Sequence, residues 1–328
     1  SDSPFYFLTD SVERIALNLA CDSATFAEGI LKNLRRIYLI RKAIKKSAPG
    51  CIISFVYSTN IHILLAIRFL NVPVIISERN HPVYSKENRL IWHLLRRTLY
   101  PMADHLVLQT KKIKDWFKDY NKSLHIIRNP VLIMRENIEA EPEIKLPSGK
   151  LIVAMGQLIE QKGFDLLLQV FARIHKSHQD WKLIILGTGQ LLDELKQMSI
   201  RLGIDKSVYF PGSVKNPFSI FSRCDLFVLS SRYEGFPNAL LEAMACGLPV
   251  ISYDCHSGPG EMIKDNVNGL LVPPNDLDDL EDAIKRLIND DKLRASLGRE
   301  AMKVQDRFSL EKVMDQWNDL LPECSLFK

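Results

Sequence analysis

No uninterrupted apolar run in this chain approaches the ~20 residues that a membrane helix needs. A complete G-x-G-x-x-G after an apolar run is also missing, which argues against a dinucleotide-dependent oxidoreductase. The six cysteines (Cys21, Cys51, Cys224, Cys246, Cys255, Cys324) form no C-x-x-C pair, and several fall in apolar runs. They read as reduced, mostly buried thiols of a cytoplasmic protein rather than a disulfide framework or a zinc site. There is no repeat at fixed period, no low-complexity tract, and no basic motif interleaved with aromatics of the kind that binds nucleic acid. Neither a signal peptide nor an initiator Met precedes Ser1-Asp-Ser-Pro, so the chain reads as processed or as a fragment.

What is present fits a soluble α/β protein. With 328 residues, about two domains are expected. The 46% hydrophobic and 25% charged content is ordinary. Charge is unevenly spread. Ser1–Arg135 holds 21 Lys/Arg against 10 Asp/Glu, a net of +11, and the remainder holds 22 against 29, a net of −7. The first half is therefore expected to face something anionic, nucleic acid or an acidic membrane surface.

Residues 1–23 read as loop and a short helix. Phe26–Ala43 then carries Ile30, Leu34, Ile37, Leu39 and Ile40 at helical spacing, with Lys32, Arg35, Arg36, Arg41, Lys42, Lys45 and Lys46 on an outer face. Apolar runs at 51–56, 74–77, 105–108 and 124–127 predict buried strands, and 61–70, 90–99 and 111–118 predict helices between them. Glu136–Lys150, acidic with two prolines, reads as a linker. Beyond it, strands are predicted at 151–155, 181–186, 208–210, 225–229, 249–252 and 269–272. Helices are predicted at 164–175, 191–202, 239–246, 277–288, 292–304 and 309–321. This alternation means parallel α/β architecture. The expected arrangement is two doubly wound, Rossmann-like parallel-sheet domains, 1–140 and 141–308, facing across a cleft. A C-terminal helix and tail over 309–328 is placed to cross back to the first.

The most informative stretch is DLFVLSSRYEGFPNALLEAMACG, Asp225–Gly247. It predicts a strand, a polar loop and a short helix stopped by Gly247, with Pro249 barring continuation. Glu242 is the one charge in the helix, and a carboxylate in such a setting needs strong partners or a shifted pKa. Glu234 sits eight residues earlier in the loop, which feeds a helix start suited to phosphate. Taken singly, Glu242 could pair within a core and Glu234 could be a solvated loop charge. The whole phrase resembles the retaining glycosyltransferases of the two-domain GT-B fold, group 1 (family 4), which take sugars from nucleotide diphosphates.

That resemblance implies roles. Glu242 would hold both ribose hydroxyls. Glu234 would lie beside the donor-sugar hydroxyls, with Gly235, Phe236, Pro237, Asn238 and Leu240 also on the donor. Gly156-Gln157 and Lys162 would cradle the diphosphate. The family commonly has Arg where this chain has Gln157, so Lys162 is left as the clamp's cation. Gly187, Gly189, Pro211 and Gly212 would surround the base and ribose. Glu234 and Lys162 are the expected catalytic pair. On the acceptor side, Ser77-Glu78-Arg79-Asn80-His81-Pro82 resembles the Ser-Glu-Arg-Asn turn of members that build bacterial cell-surface glycans, although Arg79 could instead bridge loops and Asn80 cap one. The family's first strand and glycine-rich loop are expected to be missing from this chain.

The implied activity is metal-independent transfer of a hexose or N-acetylhexosamine from a UDP-sugar to a lipid-linked or growing glycan, with retention and without a cofactor. The basic first half would dock to the inner face of the cell membrane. A sugar-nucleotide epimerase of the same fold, a truncated non-catalytic relative and a basic nucleic-acid binder are the alternatives. Asp276-Leu277-Asp278 fits a metal-binding D-x-D pattern, but it opens an amphipathic helix, where acidic residues favour the dipole. His256 stands alone in its loop, and no metal is expected there.

Overall fold

The computed structural model describes residues 9, 11–18, 26–84, 89–131 and 144–325. Most of the short helix expected within 1–23 and most of the 136–150 linker lie outside these residues; the described stretch 11–18 is not helical.

In the first region the order is α1 (Phe26–Ser47), β1 (Ile52–Phe55), α2 (Tyr57–Ile67), β2 (Val74–Ser77), α3 (Arg89–Leu99), β3 (His105–Leu108), α4 (Lys111–Phe117) and β4 (Leu124–Ile126). The second begins β5 (Lys150–Met155), α5 (Phe164–His175), β6 (Trp181–Leu186), α6 (Leu192–Arg201), β7 (Val208–Gly212) and α7 (Phe218–Phe221). It continues β8 (Leu226–Leu229), α8 (Asn238–Ala245), β9 (Val250–Tyr253), α9 (Pro259–Met262) and β10 (Leu270–Val272). Four helices close it: α10 (Leu277–Asn289), α11 (Asp291–Ala301), α12 (Val304–Arg307) and α13 (Leu310–Ser325). The short α7, α9 and α12 have no counterpart in the sequence reading, because four residues are too few to show a helical period.

Both sheets are parallel throughout the described pairings. The first runs β1-β2-β3-β4, in register at Ile53 with Ile75, Ile76 with Leu106, and Val107 with His125. The second runs β10-β9-β8-β5-β6-β7, and its reversal about β5 makes it doubly wound. Strand alternation sends Ile152 and Ala154 toward a core with α5, α6 and α10, and Val153 toward a core with α8. In the first sheet Val74, Ile76, Leu106 and Leu108 pack with Leu64, Tyr100 and Phe117. Ile75 and Val107 point the other way, against Val313 and Leu320 of α13. The last helix thus covers the second face of the first sheet. Val131 N–H donates to the Phe308 carbonyl at 2.8 Å, tying the start of that return to the end of the first region.

Local chemistry sets the helix ends. Gly247, with φ 75°, stops α8. Asp276 caps α10, its Oδ1 accepting the Asp278 and Asp279 N–H groups at 3.0 Å, so the D-x-D aspartates begin a helix. One expectation for α1 needs correcting. Arg41 is not on a solvated face; its Nη1 donates to the carbonyls of Ala66 and Arg68 and finishes α2. Nor is the apolar stripe of α1 wholly inward. Ile30 (47%), Leu34 (57%) and Tyr38 (63%) stand exposed among the cations.

Candidate active site

Because the second sheet reverses between β5 and β8, the loops leaving those strands part and open a crevice at their carboxyl ends, the usual ligand position in such sheets. Residues 156–163 and 230–237 line it, and they are laced together. Ser230 Oγ donates to the Lys162 carbonyl (3.0 Å), Gln161 Nε2 to the Tyr233 carbonyl (2.9 Å), and Arg232 N–H to the Gln161 carbonyl (2.8 Å). Arg232 also grips Asp165 through two bonds, at 2.8 and 2.6 Å. Burial alone would raise the Asp165 carboxyl; the guanidinium brings it below its ordinary range.

Lys162 and Glu234 meet directly. Lys162 Nζ donates to Glu234 Oε1 at 2.6 Å, and Ser231 Oγ donates to the same oxygen at 2.7 Å. Glu234 is 6% exposed, and its Oε2 has no hydrogen bond among the described residues. Gly156 lies under the Lys162 stem, and Gln157 is exposed beside it. The next loop is tied to this one: Leu158 N–H donates to the Thr188 carbonyl at 2.9 Å, and Gly187 N–H to the Gly212 carbonyl at 2.8 Å. Gly156, Gly187, Gly189, Pro211 and Gly212 therefore share one rim of the crevice.

On α8, Asn238 is exposed at the first turn and Glu242 lies one turn on along the same stripe. Glu242 is partly buried and has no hydrogen bond or ion pair among the described residues. Desolvation pushes its carboxyl up to about 7. Phe236 packs on Phe308 with centroids 5.7 Å apart, so this loop offers its backbone rather than that ring. The Leu240 side chain is 0% exposed in the core, so it turns away from the crevice and only its backbone is left for the implied donor contact.

The first domain closes over this rim. A Cβ built on Gly235 would sit 2.0 Å from the Arg79 carbonyl oxygen, so the two loops touch backbone to backbone and no larger residue fits. Arg79 Nη1 donates to Asn129 Oδ1 at 2.7 Å, and Asn129 Nδ2 donates to Asn238 Oδ1 at 2.7 Å. His81, 4% exposed, faces His256 of the second domain with ring centroids 4.9 Å apart. Burial and then the neighbouring imidazole push His81 down to about 4, so it is neutral at pH 7. Glu78 behaves differently. It is 2% exposed and held by Arg96 and the Tyr100 hydroxyl inside the first domain, which leaves it no surface toward the crevice. Asn80 is exposed, its Oδ1 beside Gly235.

Glu261, which with Gly258 and Pro259 resembles a family turn near the diphosphate, makes contacts that the sequence does not show. Glu261 accepts from Lys111 N–H (2.9 Å) and Arg128 Nη2 (2.6 Å), while Arg307 Nη2 donates to its carbonyl (2.7 Å). Ser257 Oγ holds the Glu234 carbonyl at 2.6 Å. The available signal was position: Asn129 and Arg128, like Arg79, follow the carboxyl ends of parallel strands.

A family model described as "Glycosyl transferases group 1" matches residues 135–304, which include both crevice loops, α8 and Glu261. The chain belongs to this family. It is 30% identical over 300 residues to a Campylobacter jejuni GalNAc-alpha-(1->4)-GalNAc-alpha-(1->3)-diNAcBac-PP-undecaprenol alpha-1,4-N-acetyl-D-galactosaminyltransferase, covering 91% of this chain and 82% of that one. The fold of this group 1 glycosyltransferase matches Staphylococcus aureus TarM, crystallised with UDP, at TM-score 0.75 and 20% identity, over 87% of this chain and 58% of that one. It matches Anabaena HepE, solved with UDP and glucose, at TM-score 0.74 and 19% identity, over 87% and 81%. The architecture is the two-domain GT-B fold.

The partly buried Glu242 carboxyl of this glycosyltransferase has a measurable signature. Its raised pKa means that its contribution to stability is full below the ordinary carboxyl range and is lost as pH rises through about 7. Glu242→Gln should therefore be near neutral at pH 5 and stabilising by on the order of 1–3 kcal/mol at pH 8.5. Chemical denaturation at the two pH values checks this; equal effects at both would show that the carboxyl titrates normally.

Proposed function

We propose that this glycosyltransferase moves a hexose or N-acetylhexosamine from a UDP-sugar to a lipid-linked or growing surface glycan, with retention of configuration. The observation that carries the donor reading is the unpartnered, partly buried Glu242, one turn beyond Asn238 on the same stripe of α8, with Glu234 of the Lys162–Glu234 pair in the loop that feeds this helix. A ribose diol supplies two donors to such a carboxylate. Glu234 Oε2 is left to accept a sugar hydroxyl. Lys162 and the α8 start then meet the charge on the departing diphosphate, and catalysis is positioning plus electrostatic stabilisation, without a divalent metal. The Campylobacter relative's name, with its PP-undecaprenol acceptor, supports a lipid-diphosphate-linked acceptor here.

Thermal unfolding with UDP, GDP and ADP tests the donor site. One nucleotide, UDP, should stabilise the wild type by roughly 2.7 kcal/mol at 100 times its dissociation constant, and Glu242→Ala should abolish the effect. Stabilisation that survives in Glu242→Ala would remove Glu242 from the site.

The second element of the proposal is attachment at the inner face of the cell membrane through α1. Among the described residues no helix is long and apolar enough to cross a membrane. α1 instead mixes exposed Ile30, Leu31, Leu34 and Tyr38 with Arg35, Lys42, Lys45 and Lys46, the composition of an in-plane helix. Each cation near an anionic surface adds up to about 1 kcal/mol. Liposome co-sedimentation should rise with anionic lipid, fall with salt, and drop when Lys42, Lys45 and Lys46 become Gln; binding indifferent to all three changes would rule out this attachment.

A further inference from the structure

The cations around the crevice are nearly all committed. Lys162 is paired with Glu234, Arg128 with Glu261 and Arg232 with Asp165. Arg79 differs. Among the described residues its guanidinium meets no carboxylate. Nη1 donates to Asn129 Oδ1 at 2.7 Å and meets the Gln109 amide oxygen at 2.8 Å when that amide is oriented to satisfy its neighbours. Nε and Nη2 have no hydrogen bond among the described residues. The group lies over the Phe55 ring, 4.5 Å from its centroid, and burial pushes it down to about 10. A guanidinium partly withdrawn from water and left without an anion carries a desolvation cost that an anion would offset. Its place is fixed by two contacts with the second domain: its own carbonyl rests against Gly235, and Asn129 links it to Asn238, the first residue of α8.

We propose that Arg79 is the phosphate-binding cation supplied by the first domain, its free Nε and Nη2 donors taking oxygens of a diphosphate seated at the start of α8. The assignment rests on the donor-site reading above and extends it. Planar, multi-donor geometry suits a diphosphate better than a single ammonium does. Two substrates can bring that chemistry into the crevice, a nucleoside diphosphate and a polyprenyl diphosphate, and the test separates them.

Titration calorimetry on the whole chain uses four probes: inorganic pyrophosphate, UDP, uridine and farnesyl diphosphate. Arg79→Gln should weaken pyrophosphate about 10- to 100-fold and leave uridine unchanged, with Arg79→Lys weakening pyrophosphate by a smaller factor. A parallel loss for UDP assigns the group to the donor; a loss for farnesyl diphosphate with UDP intact assigns it to the acceptor. If wild-type protein binds UDP no tighter than pyrophosphate, the nucleotide reading fails while a pyrophosphate loss in Arg79→Gln still upholds Arg79. Should Arg79→Gln not fold, Arg79→Lys carries the test through the same ratios. The proposal is overturned if the folded variants bind all three diphosphates as wild type does. It is equally overturned if uridine weakens as much as UDP, or if wild type binds no diphosphate at all.

Discussion

The site depends on a short ion pair in a place with little water. Lys162 and Glu234 meet at 2.6 Å, 18% and 6% exposed, at the loops where the second sheet reverses. Removing both charges from water costs several kcal/mol each, and their attraction in a poor dielectric roughly returns it. The pair is therefore a poor source of stability and a good means of position. It fixes an ammonium and a carboxylate next to a helix start, with each neutralising the other until a ligand arrives. Ser231 shares the same carboxylate oxygen, which leaves Oε2 as the side that can accept from a sugar.

The second constraint is that the two domains meet right beside this pair. Gly235, next to Glu234, takes the Arg79 carbonyl against its α-carbon. Asn129 bridges Arg79 to Asn238, Glu261 gathers Arg128 and the Lys111 N–H, and His81 faces His256. In the last helix, Val313 and Leu320 pack on the first sheet, so the chain's end also spans the domains. Desolvation alone would raise the Glu261 carboxyl, but Arg128 and the Lys111 N–H bring it below its ordinary range. Closure and site geometry are thus set by the same contacts, and a small displacement between domains moves the reacting groups apart.

Period and turn chemistry made most of this fold legible. Parallel strands buried on both faces read as continuous apolar runs, and the observed β2, β3, β6 and β9 lie at or within a residue of the expected spans. The Asp225–Gly247 phrase placed its loop, helix and glycine stop because all three are local. Pairings between distant segments were not legible. Glu78 looked like a neighbour of Arg79 in a polar loop, yet Arg96 and Tyr100, 18 and 22 residues on, draw it inside. His256 read as a lone histidine because His81 lies in the other domain. Leu240 sits in a loop-helix phrase full of ligand-facing backbone, and its side chain still goes to the core. Arg41 scored as a surface cation because sequence spacing cannot see the carbonyls of Ala66 and Arg68. Each miss is a tertiary contact that overrides a correct local pattern.

In the proposed donor site Lys162 turns from Glu234 to phosphate when nucleotide binds. The most direct measurement is the UDP affinity of Glu234→Gln beside that of Lys162→Met. Removing the carboxylate's charge frees the ammonium, so Glu234→Gln should bind UDP as tightly as wild type or several-fold tighter. Lys162→Met should bind it about 10- to 100-fold more weakly. Opposite or null-against-loss effects agree with a donor site built on this pair. Equal losses in both variants, or full affinity in Lys162→Met, would mean that the pair braces the loops without serving the diphosphate.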